Sequence, residues 1–427
     1  MSTFEEADKP VKQKVKKIDK SLIVEKVGFT LRAESSSNLG GHPTQSTTCF
    51  AINNDGTILA LGASDLTTVS IFAVSGVLPT EDNRRFSFTD TERNVVRPDD
   101  HRTFIPHQNV RSIAFHPLFP VLATGSDSGT VKLWRMLPTD IPKQLRTRDD
   151  TPQATQNVGS PINSVAFHPT EMRLATCSKD NTTQVWSFTD DYNNLICLAT
   201  LNHGEGINHV VNVVAFHPTQ RFLATGCDGA DTSRLWKLAP DNSTEHTYTI
   251  LHDTAPIKSL AFHPSGKLLA TGDSGRNLKL WDFNNYDTLD RISCVNTFTN
   301  HTNAVVSVVF HPTKPFLATG SWDRTAKVWT YSSNGLDVKC VATHEYTAPN
   351  NSVNSVAFYP VPATREEIIL AIGRSGGMFE TYKLTGVSSG GTSRRTRRRT
   401  RRRTPRRHRR RTHRRRSRKQ QRSRGRR

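Results

Sequence analysis

Histidines that precede proline are the first residues in this chain whose type and spacing could do chemistry. Five of them also follow phenylalanine, at His116, His168, His217, His263 and His311. Imidazole nitrogens bind zinc, but a zinc site needs its ligands about 2 Å from one ion. Consecutive members of this set are 46 to 52 residues apart, and each lies in its own copy of a repeated segment. We therefore predict no metal site, and we interpret each His-Pro pair as a turn in which proline presets φ.

Acidic pairs are the second candidate for chemistry, because paired carboxylates can perform acid–base catalysis. Three adjacent pairs are present, Asp99-Asp100, Asp149-Asp150 and Asp190-Asp191. All three lie in predicted loops, where such carboxylates are normally solvated. The sequence contains no Gly-x-Gly-x-x-Gly, P-loop or nucleophile-elbow motif. We predict no catalytic residues, no cofactor and no small-molecule substrate, so an enzyme whose active site is assembled from loops is the weakest alternative.

The elements that position these residues repeat along the chain. Five copies run from Phe-His-Pro to Trp, and their first residues are Phe115, Phe167, Phe216, Phe262 and Phe310. The distance from phenylalanine to tryptophan is 19 residues in four copies and 20 in the third. A looser copy runs from Phe358 to Tyr382, and another runs from Phe50 to Phe72 with Asn54-Asp55-Gly56 in place of His-Pro. This regularity predicts an array built from one supersecondary unit.

Each copy is predicted to contain four short β-strands. In the copy at 304–329, three runs rich in β-branched and aromatic residues are separated by turns. A fourth run precedes the next copy, as in 197–201, 294–298 and 338–342. Four strands in about 50 residues cannot bury their apolar faces alone, so neighbouring units must stack. Polar insertions at about 77–101 and 138–158 are predicted to be surface loops.

These motifs resemble those of the WD40-repeat β-propeller family. The first strand is followed by a turn with proline, the second reads Leu-Ala-Thr-Gly-Ser, and the third reads Val-Lys-Leu-Trp. The resemblance covers about residues 22 to 386. It implies an all-β fold, a seven-bladed WD40-type β-propeller that binds protein partners. Among the third strands, only Trp281-Asp282 keeps the terminal Trp-Asp pair of the family.

The resemblance also implies a structural tetrad of hydrogen-bonded side chains. It is complete in one copy, as His301, Thr319 or Ser321, Asp323 and Trp329. In another copy, Asp180 and Trp186 have no obvious histidine partner. The family places its structural histidine before the first strand, and the residues that match this position are His107, His209, His252 and His301.

The chain divides into four parts. We predict that residues 1–20 form a flexible Lys-rich arm and that residues 21–386 form the propeller, in which, as the resemblance implies, a strand at about 22–31 completes the last blade. Residues 387–392 form a Gly/Ser hinge. Residues 393–427 form an Arg-rich tail, which is predicted to be disordered because it has no apolar surface to bury.

The charge of the chain lies in its tail. Residues 393–427 contain 21 arginines and Lys419 without any Asp or Glu. Subtracting these 22 cations from the net charge of +20 leaves about −2 for residues 1–392. Guanidinium binds phosphate bidentately, whereas lysine would serve equally well for solubility alone. The sequence therefore predicts nucleic-acid binding without sequence preference through Arg394, Arg395, Arg397, Arg398, Arg399, Arg401, Arg402, Arg403, Arg406, Arg407, Arg409, Arg410, Arg411, Arg414, Arg415, Arg416 and Arg418.

Several hydroxyl residues of the tail follow arginines, a context that basophilic kinases favour. They are Thr396, Thr400, Thr404, Thr412, Ser417 and Ser423. Six phosphates at about −1.5 to −2 each would cancel roughly half of the charge of the tail. We hypothesise that phosphorylation tunes its binding.

The remaining signals concern the compartment. None of the six cysteines forms a Cys-x-x-Cys pair, and all are interpreted as buried thiols in a reducing environment. No stretch approaches 18 apolar residues, and the N-terminus lacks the apolar run of a secretory signal. We expect synthesis in the cytosol and no membrane insertion, followed by a nuclear, nucleolar or, if the source is viral, virion location.

Two functions remain open from the sequence. The first is a non-catalytic scaffold that binds protein partners through the propeller and nucleic acid through the tail. The alternative is a protein-interaction module, such as a ubiquitin-ligase substrate receptor, whose tail is only an import signal. Trp281-Asp282 is followed by Phe283-Asn284, so the Trp-Asp-x-Arg signature of one receptor class is absent there.

Overall fold

The structure is a computed structural model. It describes residues 23–32, 48–63, 69–73, 101–104, 109–136, 154–204, 209–229, 233–239, 244–250, 255–283, 292–348, 351–360, 368–375 and 378–385. These ranges contain no α-helix, and their strands pair in antiparallel sheets. The predicted all-β class is confirmed.

Within the described residues the strands form seven four-stranded sheets, numbered here in chain order. The first contains β2 (Thr48–Ile52), β3 (Ile58–Ala63), β4 (Val69–Ala73) and β5 (His101–Phe104). The second contains β6 (Val110–Phe115), β7 (Val121–Ser126), β8 (Thr130–Arg135) and β9 (Ala154–Asn157). The third contains β10 (Ile162–Phe167), β11 (Arg173–Ser178), β12 (Thr182–Phe188) and β13 (Leu195–Asn202). The fourth contains β14 (Val211–Phe216), β15 (Phe222–Cys227), β16 (Ser233–Leu238) and β17 (Thr244–Ile250).

The last three sheets also have four strands each, but the fourth strand of the seventh sheet comes from the start of the chain. The fifth contains β18 (Ile257–Phe262), β19 (Leu268–Asp273), β20 (Leu278–Asp282) and β21 (Ser293–Phe298). The sixth contains β22 (Val305–Phe310), β23 (Phe316–Ser321), β24 (Thr325–Tyr331) and β25 (Val338–Glu345). The seventh contains β26 (Val353–Phe358), β27 (Ile368–Arg374) and β28 (Met378–Thr385), and its fourth strand is β1 (Ile23–Arg32). The register pairs Ile23 with Thr385 and Arg32 with Met378.

The hydrophobic core lies between neighbouring sheets. One cluster joins Leu268 and Leu280 of the fifth sheet to Val305 and Trp329 of the sixth. The second strand of each sheet is sandwiched by its neighbours, so every residue of β7, β15, β19 and β23 is buried. The close approach explains the glycine of the Leu-Ala-Thr-Gly motif. A Cβ on Gly226 would lie 2.6 Å from Cγ2 of Ile257 in the next sheet.

The sheets contact one another in cyclic order through their first strands. Each first strand lies against the next, from β2 through β6, β10, β14, β18 and β22 to β26, and β26 contacts β2. The junction between the seventh and first sheets also includes an edge-to-face contact of Phe379 with Phe50, whose ring centroids are 4.9 Å apart.

Two sequence predictions about the rim of the sheets are wrong. The segment 138–158 is not only a surface insertion, because β9 lies within it and Ala154 is buried. The cysteines are not all buried, since Cys197 and Cys294 are exposed while Cys177, Cys227 and Cys340 are buried. The two exposed thiols lie on β13 and β21, which are the outer strands of their sheets and have one side open to solvent.

Candidate functional site

The predicted tetrad forms one continuous chain of hydrogen bonds in the sixth sheet. Nε1 of Trp329 on β24 donates to Oγ1 of Thr319 on β23 at 3.0 Å. Oγ1 of Thr319 lies 2.7 Å from Nε2 of His301, and Nδ1 of His301 lies 2.8 Å from Oδ2 of Asp323. A neutral imidazole that donates from Nδ1 and accepts at Nε2 satisfies every member of the chain. Ser321, the alternative to Thr319, instead donates to the carbonyl of Asn303 at 3.1 Å.

The carboxylate of Asp323 is the most heavily hydrogen-bonded member of this tetrad. It accepts from the amide of Thr302 at 2.9 Å, from the amide of Thr325 at 2.9 Å and from the hydroxyl of Thr325 at 2.6 Å, besides His301. Burial alone would raise the pKa of Asp323, but the bonds from His301, Thr325 and Thr302 hold that pKa well below its usual range. Asp323 is therefore an ionised, buried residue whose hydrogen bonds hold the turn between β23 and β24.

Replacing Asp323 by alanine is expected to lower the free energy of unfolding by about 3 kcal/mol, because buried partners lose a charged acceptor. The equivalent turn of the third sheet supplies a matched control. There Asp180 is exposed and accepts only from the amide and hydroxyl of Thr182. Asp180→Ala is expected to cost less than about 1 kcal/mol. Chemical denaturation of both variants measures the difference, and equal costs would contradict a special role for the tetrad.

The Trp–Thr half of the tetrad recurs in five sheets. Each tryptophan of a third strand donates from Nε1 to a buried threonine of the second strand at 2.9 to 3.0 Å. The pairs are Trp134 with Thr124, Trp186 with Thr176, Trp236 with Thr225, Trp281 with Thr271 and Trp329 with Thr319. The sequence signal for these bonds is the spacing of ten or eleven residues between the threonine and the tryptophan. These bonds satisfy the indole N–H in the core of each sheet.

The structural histidine of the fourth sheet is His203, not His209. The His203 ring is fully buried, with Nε2 3.2 Å from Oγ1 of Thr183 and Nδ1 3.2 Å from Sγ of Cys227. It packs edge-to-face against Trp236, with centroids 4.9 Å apart. Sequence reasoning missed it because it stands eight residues before β14, whereas His301 stands four before β22. His107 and His252 lie outside the described residues.

The His-Pro histidines act as turn caps. Nδ1 of His116 accepts from the amides of Leu118 and Phe119 at 3.0 and 3.2 Å. The same two-amide pattern recurs at His168, His217 and His311, and at His263 with one amide. The turn is therefore held by the imidazole as well as by proline. Among the described residues, no group of three or more His, Cys, Asp or Glu has the arrangement of a metal site.

Some of these rings also connect neighbouring sheets. Nε2 of His116 donates to the carbonyl of Glu171 at 3.1 Å, and Nε2 of His217 donates to that of Gly266 at 3.0 Å. At the junction of the seventh and first sheets, Tyr359 replaces histidine and its hydroxyl donates to the carbonyl of Gly56. Gly56 has a φ of +73°, and a Cβ there would lie 2.9 Å from the carbonyl oxygen of Pro360. Glycine is therefore required at this contact.

Acidification is expected to weaken the fold through these histidines. Burial lowers the pKa of His168 and that of His311 to about 4, and the nearby Lys314 adds to the effect at His311. A histidine with a lowered pKa stabilises the fold fully above about pH 6.5, and this contribution is lost as pH falls towards 4. We expect each ring to contribute about 1 to 2 kcal/mol after allowance for solvent near the turn.

Denaturation curves between pH 7 and pH 4 measure this dependence. His311→Asn is the control, because its amide oxygen can accept the turn amides but the side chain does not titrate. The variant should lose stability less steeply with acidification than the natural protein. If the stability of both proteins depends on pH in the same way, His311 does not contribute to the loss of stability in acid.

The seventh sheet replaces the Trp–Thr bond by a buried ionic network. Glu380, which is 4% exposed, accepts from the hydroxyls of Tyr346 and Tyr382 at 2.9 and 2.7 Å. Its other oxygen lies 3.1 Å from Nη2 of Arg374, whose guanidinium stacks over the Tyr346 ring at 4.7 Å. Nη1 of Arg374 donates to Asn351 at 2.8 Å. Burial, followed by the Glu380 carboxylate, raises the pKa of Tyr382 far above its usual range, so this phenol stays a donor.

Few of the other sequence-predicted sites fall in the described residues. Asp191 is part of a surface turn and accepts from Thr189 and Asn193, which fits its interpretation as a solvated loop carboxylate. The pairs at 99–100 and 149–150 lie outside the described residues. The arginines of 394–418, the six candidate phosphorylation residues and the arm at 1–20 lie outside the described residues.

Exposed apolar side chains were not predicted. The four large ones among the described residues are Leu118, Ile196, Trp322 and Leu336. Trp322 is 46% exposed in the turn between β23 and β24, next to the tetrad residue Asp323. The described ranges include no helix that is long and apolar enough to span a membrane.

The repeated four-stranded sheets, with buried threonine–tryptophan bonds between their strands, define a β-propeller-like all-β protein. Five segments match the WD40 family model, described as WD domain, G-beta repeat, at residues 99–135, 151–187, 195–232, 244–282 and 292–330. These five repeats support a WD40 family, whose members are generally non-catalytic scaffolds.

Curated relatives share only part of their length with this chain. The nuclear distribution protein nudF of Aspergillus flavus is 33% identical over 96 residues, 22% of this chain and 19% of nudF. The target of rapamycin complex subunit wat1 of Schizosaccharomyces pombe is 32% identical over 90 residues, 21% of this chain and 25% of wat1. The target of rapamycin complex subunit LST8 of Rattus norvegicus is 28% identical over 86 residues, 20% of this chain and 24% of LST8. The matches therefore span about a fifth to a quarter of these relatives.

Proposed function

We propose that this protein is a non-catalytic scaffold whose propeller holds protein partners while its Arg-rich tail holds nucleic acid without sequence preference. The propeller is proposed to be a closed, seven-bladed ring, a proposal supported by the contact of β26 with β2. The related proteins named above include subunits of a complex, which supports a role within a multi-protein assembly.

The protein partner is proposed to dock on the end of the sheets that carries Trp322. Tryptophan is the residue type most often found at the energetic centre of protein interfaces. Trp322 combines 46% exposure with a turn that Asp323 holds rigid, so its position is fixed before binding. A rigid aromatic anchor costs little conformational entropy on association.

The observation that carries the nucleic-acid role is the composition of residues 393–427. They hold 22 of the 58 Lys and Arg residues of the chain, 21 of them as arginine, and no acid. Counterion release from phosphates favours such a segment strongly and regardless of sequence. Base-specific contacts are not expected, because the tail offers almost no apolar or aromatic side chains. The same segment suits nuclear or nucleolar delivery or packaging in a virion, and phosphorylation at the six residues named earlier would weaken it.

The test compares the full chain with a form that ends at Val387, using a fluorescent DNA duplex of about 20 base pairs and a salt series. Binding that depends on the tail and weakens steeply with salt supports the proposal. Equal binding by both forms contradicts the role of the tail. Absence of binding by both forms favours the alternative, an interaction module whose tail is only an import signal.

A further inference from the structure

One turn position recurs at the same end of six sheets, and in the sixth sheet it is occupied by Trp322. The residue at this position directly follows the second strand, and its amide donates to the carbonyl of the residue before the first strand, as Trp322 does to Ala304 at 3.1 Å. The equivalent residues of the second, third, fourth, fifth and seventh sheets are Asp127, Lys179, Asp228, Ser274 and Ser375. The turn therefore accepts many residue types and does not itself require tryptophan, which is 46% exposed here.

The residue two places further along the same turn has a left-handed backbone. It is Gly129 in the second sheet and Asn181 in the third, with φ of +76° and +66°, and both residue types tolerate this conformation. In the fifth and sixth sheets the position holds Arg276 and Arg324, with φ of +75° and +69°. Arginine rarely adopts this backbone conformation, and strain of this kind is found preferentially at functional sites. The two arginine side chains are therefore candidates for a function that glycine and asparagine cannot provide.

Both arginines are cations without an acidic partner in the described part of the chain. Arg276 is exposed and Arg324 is half-buried, and neither forms an ion pair with a described residue. Asp323, in the same turn as Arg324, is buried and its carboxylate is occupied by the tetrad. Three other cations at this end of the sheets do form ion pairs, namely Arg111 with Asp127, Lys258 with Asp228 and Arg374 with Glu380. Trp322, Arg276 and Arg324, named here the Trp322 patch, thus combine an exposed aromatic ring with two cations that lack a carboxylate partner.

The two arginines of the Trp322 patch are spaced for one short peptide. The first strands of the fifth and sixth sheets contact each other, and packed sheets lie about 10 Å apart. Equivalent backbone positions such as 276 and 324 are therefore separated by about 10 Å. In an extended polyproline II peptide, which rises about 3.1 Å per residue with three residues per turn, side chains three residues apart leave the same face about 9 Å apart. Two carboxylates with this spacing match the two guanidinium groups.

We propose that the Trp322 patch binds an extended acidic peptide segment of the protein partner. An apolar side chain of the peptide packs on Trp322, and two carboxylates three residues apart pair with Arg276 and Arg324. This inference rests on the proposed docking at Trp322 and adds the chemistry of the partner. The patch has two free cations, whereas proteins that bind duplexes through phosphates make about six to ten such contacts. A peptide is therefore favoured over a duplex at this site.

Trp322 itself reports whether the patch is occupied. The chain contains six tryptophans, and the other five are at most 5% exposed. Acrylamide quenching of tryptophan fluorescence in the full chain therefore reports mainly on Trp322, and Trp322→Phe should remove most of it. Residues 393–427 contain no tryptophan, so a peptide that binds only to the tail does not give this signal.

The test uses three synthetic peptides that lack aromatic residues. Each has a central leucine, flanked by two glutamates three residues apart, by two glutamines or by two lysines. The glutamate peptide is expected to shield Trp322 from acrylamide and to bind about tenfold more tightly than the glutamine peptide, since two exposed ion pairs are gained. Arg276→Gln combined with Arg324→Gln should abolish this preference.

The matched control changes two exposed lysines outside the patch. Lys179 occupies the position of Trp322 in the third sheet, and Lys267 lies in the turn between β18 and β19. Lys179→Gln combined with Lys267→Gln removes the same charge as the double arginine variant and should keep the tenfold preference. The emission of the five buried tryptophans shows whether each variant is folded.

The outcomes distinguish this inference from the proposed function. If the glutamine or lysine peptide shields Trp322 as well as the glutamate peptide does, docking at this end stands and the acidic specificity is wrong. If both double variants lose the preference equally, the effect is general charge and the specificity is again wrong. If no peptide shields Trp322 at millimolar concentration, or only a DNA duplex does, peptide docking at this end is overturned. None of these results bears on the nucleic-acid role of the tail, which the salt series decides.

Discussion

The form that ends at Val387 is expected to bind duplex DNA at least about a thousandfold more weakly than the full chain at low salt. Its charge of about −2, against +20 for the whole chain, leaves little net attraction for phosphates. If about ten of the 22 tail cations contact phosphates, the salt slope of the full chain is about −9. Its affinity then falls by about 10⁵ between 50 and 200 mM salt. The truncated form should show almost no slope.

A charge-matched tail provides the control for this experiment. Replacing the tail arginines by lysine keeps the charge, so the salt slope should be preserved. The affinity at a fixed salt concentration should nevertheless fall, because lysine lacks the bidentate geometry of guanidinium. Identical affinity would mean that charge alone decides binding. Titration by fluorescence anisotropy gives both quantities.

Glu380→Ala is expected to be among the most destabilising single substitutions, lowering the free energy of unfolding by about 3 to 5 kcal/mol. The change removes the carboxylate that neutralises Arg374 and accepts from Tyr346 and Tyr382. All of these side chains are largely buried between the sixth and seventh sheets, where solvent cannot replace the lost acceptor. Urea denaturation measures the cost.

Two further variants test whether this loss of stability comes from the buried charges. Glu345 ends β25 in the neighbouring sheet and is exposed, so Glu345→Ala should change stability by less than about 0.5 kcal/mol. The double variant Glu380→Leu with Arg374→Met removes both charges and should recover most of the lost stability. A double variant as unstable as Glu380→Ala would show that the network stabilises the sheet by more than charge neutralisation.

Much of the fold followed from the sequence because its signals recur. The Phe-His-Pro to Trp spacing predicted the positions of the first three strands of five sheets, and the runs rich in β-branched and aromatic residues predicted that they are strands. The fourth strand at 154–157 was missed, since Ala-Thr-Gln-Asn has neither the length nor the apolar content of a strand. Its backbone pairing with β8 decides its structure, and pairing across a sheet leaves no local pattern.

The site was only partly predictable for a similar physical reason. His301, Thr319, Asp323 and Trp329 occupy motif positions, so their association could be read from spacing. The contacts of His203 with Thr183 and Cys227 join two sheets, and no periodicity records a contact between units. The Glu380 network replaces the motif residues altogether. The contacts of such side chains depend on neighbours that are distant in sequence.

The pairing of β1 with β28 has a consequence for synthesis on the ribosome. Ile23 and its partner Thr385 are 362 residues apart. At about 5 to 20 residues per second, translation separates their emergence by about 20 to 70 s. Throughout that interval β1 has no partner strand, and a nascent chain with an open β-edge is prone to association with other chains. The seventh sheet therefore cannot be completed before β28 has been synthesised, and a chaperone that shields β1 until translation ends is expected to raise the yield.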